Sequence, residues 1–484
     1  MRINPPLWGF ALGSFAALLA PVLTLRAAAP DFRVLVGGQP VELHEFPQGA
    51  FGLFEVVRPV DVDLRTGFDV RWVNVRPLSA GVSASIAGDH RSVRFNVTGT
   101  TPLTVEFNDD LSRVVHLFPY GPESDIPKPD APNVRFFGPG IHEAGLIDLH
   151  DGETLYLAPG AWVKGNVRSV NSSNITIRGR GVLDGSDIPS RPESRENGGS
   201  YGDGSRNMVY LEHTTGARIE GITIFNSDFE WTVYMNGTKG TRVDGVKLLN
   251  PSLSYGDDGF DVVSSSDVLI KNIFVRTNDD CVAVKNLQDV DTHDITVRHA
   301  VLWNMPTGGN GLEIGFEMGN SRVHGIHFQD IDIIHVERGS AISIHNGDAA
   351  TVEDVTYDDI RVEDARRKLI DFAVIYAQYG ADKPANDEEN ERRLDRGGTW
   401  DGLLTYTPDE KPARARLRGH IRDVRVTNLH VVDGALPYSV IAGFDVEHGI
   451  DNVRIEGLQY LGRPITNAAD GRFTIENARG VVFQ

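Results

Sequence analysis

The sequence is poor in cysteine, because Cys281 is the only one among 484 residues. A single cysteine cannot form an intramolecular disulfide, and cysteine-rich metal sites need several thiolates. Cys281 begins an apolar, strand-like run, and this context is typical of a small buried side chain. We therefore expect no disulfide and no redox chemistry in this chain.

Basic residues are also scarce. The chain has 47 Lys and Arg side chains against 67 Asp and Glu side chains, which gives a formal net charge of −20 at pH 7. Proteins that bind nucleic acids need a basic surplus to replace the counterions on phosphates. The composition therefore excludes nucleic-acid binding as the main function, and a polyanionic substrate would need a local basic cleft.

Long hydrophobic runs are missing beyond the first residues. Leu7 to Leu25 is uncharged and apolar, Arg2 precedes it, and Ala27 to Ala29 offers a small-residue cleavage site. This order is typical of a secretory signal. We predict a signal peptide over residues 1–29 and a periplasmic or secreted protein. The alternative is an uncleaved membrane anchor, because the run approaches the minimum spanning length of about 17 residues.

Amphipathic segments of helix length are missing as well, and short β-type runs between turn residues fill the chain. Over residues 30–121 these runs predict a small N-terminal β-sandwich. Residues 122–133 are rich in proline and begin PESDIPKPDAP, which predicts a linker because proline cannot pair in a strand interior.

Residues 134–484 contain internal repeats. The units start about 24 to 30 residues apart, alternate apolar with polar residues, and often carry Gly, Asn or Asp where a corner is needed. The units begin at Asn174, Ala217, Thr241, Asp267, His293, Arg322, Val352, Ile421 and Ile450. We predict an all-β right-handed parallel β-helix, because each coil can bury its apolar face only against its neighbours. The charged run at 383–396 is predicted to be a solvated surface insertion.

The densest group of carboxylates lies on two consecutive repeats. Asp257, Asp258 and Asp261 fall in one repeat, and Asp279 and Asp280 fall about 21 residues later. That separation is close to one coil, so the acids should stack at about the 4.8 Å spacing of neighbouring strands. Crowded like charges raise the pKa of one member, which then holds a proton. A protonated acid beside ionised carboxylates is the arrangement that glycoside hydrolysis needs.

Two other interpretations of this cluster stay open on the residues alone. Aspartate is common at turns, so the acids could be corner residues. Clustered carboxylates are also suitable ligands for Ca²⁺, which takes six to eight oxygen atoms.

The segment from Asn226 to Lys285, with its Asp258-Gly-Phe-Asp and Asn278-Asp-Asp-Cys motifs, resembles the polygalacturonases of glycoside hydrolase family 28. The resemblance implies a right-handed β-helix and hydrolysis with inversion of configuration. It further implies that Asp279 is the general acid and that Asp258 and Asp280 position and deprotonate the water. In inverting enzymes the two carboxyl groups generally lie about 6.5 to 9.5 Å apart.

The chain departs from the family 28 pattern at three motifs. Gly256 and Asp257 stand where Asn-Thr is expected, Asn310 replaces the His of Gly-His-Gly, and Ser343 and His345 stand where Arg-x-Lys is expected. In polygalacturonases that Arg and Lys hold the substrate carboxylate. Their loss from a chain of charge −20 favours a neutral glycan, as in a dextranase, over polygalacturonate.

Family 49, the dextranases and their relatives, is similar in placing a β-sandwich before a β-helix. Leu155 to Gly165 and Asp332 to Val336 look like segments of that family. The chain is identified as a member of the clan that joins families 28 and 49.

Polar and aromatic residues near the acids are candidate substrate ligands. The predicted substrate-binding residues are Asp257, Lys285, Trp303, Asn310, Glu313 and His345. We predict a polysaccharide or oligosaccharide as the partner, with no cofactor, no metal, no nucleic acid, and no membrane contact beyond an uncleaved signal segment. The alternatives are a β-helix polysaccharide lyase that uses Ca²⁺ and a non-catalytic glycan-binding protein.

Overall fold

A computed structural model of the chain describes residues 31–188, 206–227, 231–252, 256–376, 380 and 411–484. The predicted signal peptide, residues 1–29, and the charged run at 383–396 lie outside the described residues. In the part of the chain that the structure describes, no helix is long and apolar enough to cross a membrane.

The N-terminal part consists of two antiparallel-rich sheets of five strands each, in the orders β2-β1-β5-β8-β7 and β3-β4-β10-β9-β6. Their apolar faces pack on a shared core that includes Phe32, Leu64, Phe95 and Phe107. The strands are β1 (Phe32–Val36), β2 (Gln39–Val41), β3 (Leu43–Phe46), β4 (Gly49–Glu55), β5 (Val60–Thr66), β6 (Val73–Arg76), β7 (Ser85–Ile86), β8 (Ser92–Val97), β9 (Leu103–Phe107) and β10 (Val114–Tyr120). A 3₁₀ turn at Leu78–Ala80 follows β6.

After residues 121–133, to which the structure assigns no strand, a continuous sheet of 29 strands begins. Its strands are β11 (Val134–Phe137), β12 (Gly140–Asp148), β13 (Thr154–Leu157), β14 (Ala161–Val170), β15 (Thr176–Gly179), β16 (Val182–Asp184), β17 (Val209–Glu212), β18 (Arg218–Glu220), β19 (Thr223–Phe225), β20 (Val233–Asn236), β21 (Arg242–Asp244), β22 (Lys247–Leu249), β23 (Phe260–Val263), β24 (Ser266–Thr277), β25 (Val282–Lys285), β26 (Thr292–Asn304), β27 (Leu312–Phe316), β28 (Arg322–Val336), β29 (Ser340–Asn346), β30 (Thr351–Val362), β31 (Lys368–Val374), β32 (His420–Val431), β33 (Tyr438–Ala442), β34 (Ile450–Glu456), β35 (Gln459–Tyr460), β36 (Arg463–Pro464), β37 (Phe473–Glu476), β38 (Ala478–Arg479) and β39 (Val482–Phe483). A short helix, α1 (Lys411–Ala415), precedes β32.

Except for β36, which pairs antiparallel with β35, each strand of this sheet pairs in parallel with a strand one coil away, so the chain winds as a β-helix. The short strands β17, β20, β23, β25, β27, β29, β31 and β33 stack in this order and form what we call the short-strand face. The prediction of a right-handed parallel β-helix after a small β-sandwich is confirmed.

The corners of the coil explain the sequence pattern of the repeats. Asp294 and His299 in β26 have φ angles of 56° and 54°, and Asp354 and Asp359 in β30 have φ angles of 52° and 54°. Only Gly, Asn, Asp and a few other residues adopt this left-handed region readily, and Gly325 takes it at the equivalent corner of β28. Each long strand therefore turns twice, and four β-type residues separate its two turns.

The two parts of the molecule meet across an apolar cluster. Phe51 and Phe118 of the sandwich pack with Phe225, Phe274 and Trp303 of the β-helix. On the β-helix side these residues lie in β19, β24 and β26, so the sandwich packs against the coils that carry the acidic residues.

Candidate active site

Two consecutive coils place the acidic residues at the start of strands in the short-strand face. Asp257 and Asp258 lie one residue before β23, and Asp279 and Asp280 lie one residue before β25. The Gly259 amide donates to the Asp280 carbonyl at 2.8 Å, which fixes the two turns one above the other. One carboxylate oxygen from each of Asp258, Asp279 and Asp280 lies within 4.8 Å of the other two. We call these three side chains the acid cluster.

Asp279 is the half-buried member of the acid cluster, whereas Asp258 and Asp280 are buried. The amides of Gly256 and Asp280 donate to its carboxylate at 2.9 and 3.1 Å. Burial raises the pKa of Asp279, and the Lys285 ammonium opposes that rise. Its carboxyl group is therefore the one that can meet a substrate from the open side.

Asp280 is held by Asn310. The Asn310 amide nitrogens of the backbone and of the side chain donate to the same Asp280 oxygen at 2.7 and 2.8 Å. Burial, and then the neighbouring charge of Asp279, raise the pKa of Asp280 well above its usual range. Asn310 stands where the resembled pattern has a histidine, and here its side chain orients a carboxylate.

Lys285 supplies the positive charge beside the acid cluster. Its ammonium lies 3.4 Å from Asp258, 3.8 Å from Asp261 and 3.1 Å from Glu317, and it sits 4.2 Å from the centre of the Trp231 ring. Burial raises the pKa of Asp258 to about 7, and the Lys285 charge acts in the opposite direction. Without this cation, the pKa of Asp258 would rise further.

Asp261 adds a fourth carboxyl group to the same place. It is fully buried, and burial followed by the charge of Asp258 raises its pKa well above its usual range. Groups coupled this strongly titrate as one unit. The unit therefore keeps at least one proton at neutral pH, which is the condition for general acid catalysis.

Next to the acid cluster runs a buried chain of alternating charges, which we call the ion chain: Glu313, His345, Asp371 and Lys368. His345 contacts Glu313 at 2.9 Å through Nδ1 and Asp371 at 2.9 Å through Nε2. Lys368 forms an ion pair with Asp371. The two carboxylates raise the pKa of His345 to about 10 against the effect of burial, so His345 is a cation. The charges within the ion chain balance.

The structure buries all six predicted substrate ligands. None of the six has more than 5% of its surface exposed. Lys285, Asn310, Glu313 and His345 have polar partners within the site, as described above. Lys285 and Asn310 contact the acid cluster, and Glu313 and His345 contact each other in the ion chain. This differs from the direct contact with substrate that is predicted for all four.

Trp303 and Asp257 have structural roles in place of the predicted contact with substrate. Trp303 is fully buried in the cluster between the sandwich and the β-helix, where its indole donates to Glu337 at 3.1 Å, so the predicted contact with substrate is wrong. Asp257 is fully buried, and its carboxylate accepts from the Asn278 side chain at 3.2 Å. Asp257 therefore stabilises the turn that leads to Asp279.

Comparisons with known proteins agree with this geometry. Residues 158–392 match the family model described as Glycosyl hydrolases family 28, and this range contains the acid cluster and the ion chain. Over these residues the chain resembles glycoside hydrolases of the polygalacturonase-like and dextranase-like clan. The resemblance stated from the sequence is thereby confirmed.

The individual relatives match only parts of this chain, and this chain spans less than two thirds of the length of the curated relatives below. A polygalacturonase of Fusarium fujikuroi is 28% identical over 45% of this chain and 60% of its own length. A probable endopolygalacturonase D of Neosartorya fischeri is 29% identical over 36% of this chain and 34% of its own length. Dex49A from Penicillium minioluteum is 14% identical, covers 88% of this chain and 83% of its own, and has a TM-score of 0.56, which supports the shared fold.

Sequence reasoning missed several residues of the site. It named Asp261 without giving it a role, and it did not single out Lys368 or Asp371. These residues meet the site only through strand register, because Ser343 pairs with Asp371 and Glu313 pairs with Ser343 on successive coils. An exact alignment of the repeats across β27, β29 and β31 is the signal that could have found them.

We predict that His345→Gln lowers the free energy of unfolding by about 3 to 5 kcal/mol, because it leaves Glu313 and Asp371 buried without their shared cation. Since the pKa of His345 is raised to about 10, its stabilisation is complete below the unfolded value of 6.5 and is lost as the pH rises to about 10. The pKa of Asp371 is lowered to about 2, so its part is lost as the pH falls from 3.8 to about 2. Urea unfolding at several pH values measures the difference.

The matched control for this prediction is His299→Gln, because His299 also contacts an aspartate, Asp330, but lies exposed at a corner. Its effect should stay below about 1 kcal/mol. A His345→Gln variant whose stability matches the wild type at pH 5 would contradict the assignment of a buried cation.

Proposed function

We propose that this protein hydrolyses O-glycosidic bonds of a polysaccharide or oligosaccharide with inversion of configuration. Asp279 is the general acid, and Asp258 and Asp280 hold and deprotonate the attacking water. The observation that carries this proposal is the acid cluster itself, three carboxyl groups within 4.8 Å on two coils that lie inside the matched family region.

The exposure of the three acids supports this division of roles. Asp279 reaches the surface, so its carboxyl can approach the oxygen of the leaving group. The acid cluster keeps a proton at neutral pH because its members are buried and share one environment. When Asp279 gives that proton to the leaving oxygen, the C–O bond breaks and positive charge develops on the sugar ring. The water then adds to the anomeric carbon and passes its proton to Asp258 or Asp280.

The short separation of the carboxylates constrains where the water can bind. Their nearest oxygens lie within 4.8 Å, closer than the 6.5 to 9.5 Å that is general for two facing carboxyl groups in inverting enzymes. A water molecule shared by Asp258 and Asp280 can sit beside these two carboxylates rather than between a facing pair. The spacing itself is nearer the separation of about 5 to 5.5 Å in retaining enzymes, so inversion is proposed from the resemblance to family 28 and not from this distance.

Charge supports a neutral glycan as the substrate. His345 stands where the family 28 pattern has Arg-x-Lys, and it is already shared by Glu313 and Asp371. Lys285 is likewise shared among three carboxylates. A uronate would add one more negative charge, and neither of these two cations is left to balance it. Polygalacturonate is the second candidate, because the curated relatives are named polygalacturonases.

A Ca²⁺-dependent lyase is the main alternative chemistry, because three carboxylates within 4.8 Å are also a candidate cation site. The Lys285 ammonium, 3.4 Å from Asp258, favours hydrolysis because it already gives the cluster a positive charge. A lyase would produce unsaturated sugars and lose its activity in the presence of a chelator, whereas the proposed hydrolase would do neither. The proposed place of action is the periplasm or the exterior, as predicted from residues 1–29.

We predict that Asp279→Asn lowers kcat by about 10²- to 10⁴-fold, because the amide cannot donate the proton of a general acid. Purified protein is incubated with dextran, other neutral glycans and polygalacturonate, and new reducing ends are counted. Release from a neutral glycan that disappears in the variant is the expected result. Asp267→Asn, at an exposed corner of β24, is the control and should keep wild-type activity. Full activity in Asp279→Asn would refute the assignment of the acid.

A second prediction concerns the base. Lys285→Met should move the acidic limb of the pH profile of kcat to higher pH, because loss of the cation raises the pKa of Asp258 above about 7 and delays its ionisation. The pH dependence of kcat is compared for the wild type, Lys285→Met and Lys271→Met. Lys271 pairs with Asp244 on another face of the coil, so its variant should keep the wild-type profile. An unshifted acidic limb in Lys285→Met would contradict the role of this ammonium.

A further inference from the structure

Arg276 is a buried cation between the two parts of the molecule. Its side chain is fully buried, and among the described residues no carboxylate forms an ion pair with it. One guanidinium nitrogen donates to His116 Nε2 of the sandwich at 3.0 Å. The guanidinium also stacks on Trp303 at 4.3 Å and on Phe46 at 5.2 Å, while its Nε has no hydrogen-bond partner.

This arrangement is costly for the fold. An arginine that leaves water without a direct ion pair loses several kcal/mol of solvation. The aromatic faces and the more distant charges of Glu337 and Glu106 return only part of it. Burial lowers the pKa of Arg276 to about 10, which reflects the same cost. An apolar side chain of similar length would satisfy packing alone at lower cost. Stability of the fold therefore does not explain why an arginine occupies this position.

His116 is prepared for this contact by the sandwich. Because arginine only donates, His116 Nε2 must accept, and the ring proton is then on Nδ1, which lies 2.9 Å from the Thr104 hydroxyl. Burial, followed by the charge of Arg276, lowers the pKa of His116 well below its usual value, so the ring is neutral. The sandwich thus presents one oriented acceptor to the β-helix.

The strands that carry Arg276 and Trp303 lead directly to the acid cluster. Arg276 is the next-to-last residue of β24, three positions before Asp279. Trp303 precedes Asn304 at the end of β26, and the Asn304 side chain donates to the Asp279 carbonyl at 2.8 Å. The Met305 amide also donates to the Thr277 carbonyl at 2.8 Å. The Asp279 turn is therefore held by the chain that follows Arg276 and by Asn304, which follows Trp303. Both Arg276 and Trp303 contact the sandwich.

We propose that Arg276 is a positioning residue: together with Trp303, and held by His116, it fixes the turn that presents Asp279 and Asp280. On this view the N-terminal sandwich is part of the catalytic machinery, although none of its described side chains belongs to the acid cluster. The proposal rests on the proposed function, because it needs Asp279 and Asp280 to act in the reaction.

The test separates positioning from stability. In Arg276→Met an apolar chain of similar length replaces the buried charge, but His116 Nε2 loses its donor, so the melting temperature should fall by no more than a few degrees. We expect kcat on the cleaved glycan to fall about 10- to 100-fold with little change in KM, because a displacement of about 1 Å misplaces the acids. Amide hydrogen exchange of residues 277–283 should become about tenfold faster, because the turn loses its anchor.

Two further variants complete the design. Arg276→Lys keeps a donor for His116 and should recover part of kcat, which a purely structural role would not require. Ser79→Ala removes a different contact across the same interface, the 2.8 Å hydrogen bond to Asp332, and should leave kcat unchanged. If Arg276→Met does not fold, His116→Phe keeps an aromatic ring and removes the acceptor. It carries the same expectations for kcat and for hydrogen exchange, with a lower melting temperature because the Arg276 charge stays buried without its acceptor.

Wild-type kcat and wild-type exchange over residues 277–283 in Arg276→Met would overturn the proposal. If the wild-type protein cleaves no glycan, the proposed function fails, and the exchange measurement still decides whether Arg276 anchors the turn. Faster exchange over 277–283 would then support the structural half of the inference, and unchanged exchange would end it.

Discussion

The stacking of like charges on neighbouring coils is the constraint on which the rest of this site depends. Parallel strands repeat at about 4.8 Å, so the acids that precede β23 and β25 must lie at about that distance from one another. The oxygens of Asp258, Asp279 and Asp280 lie within 4.8 Å in the structure. Burial prevents water from screening this repulsion. The cluster is stable only with a shared proton and with donors aimed at it, which Lys285 and Asn310 supply.

The short-strand face holds two zones of charge that differ in their balance. In the ion chain, two cations and two carboxylates alternate and satisfy one another, so this zone contributes rigidity. In the acid cluster, among the described residues, one cation, Lys285, faces several carboxyl groups, so this zone keeps a proton available. In the ion chain His345 is already paired with two carboxylates, so it is not left to bind a substrate carboxylate. We therefore propose a neutral substrate.

The sequence allowed the coil and the position of the acids to be predicted for a physical reason. Both follow from local rules, since left-handed corners favour residues such as Asp294 and Asp359, and the spacing of Asp258 and Asp279 equals about one coil. The direction of Trp303 and the partners of Arg276 and His345 could not be predicted. They depend on contacts between residues far apart in the chain, such as Arg276 with His116, and a local pattern contains no signal for these.

The stereochemistry of the first product shows directly whether Asp258 and Asp280 activate a water molecule or whether a carboxylate attacks the sugar. Proton NMR can follow the anomeric signal of the new reducing end while an oligosaccharide of the cleaved glycan is hydrolysed. If Asp258 and Asp280 activate a water molecule, the product should first appear with the anomeric configuration opposite to that of the cleaved bond. A product that first appears with the retained configuration would mean that a carboxylate attacks the sugar, and it would contradict the activation of water by Asp258 and Asp280.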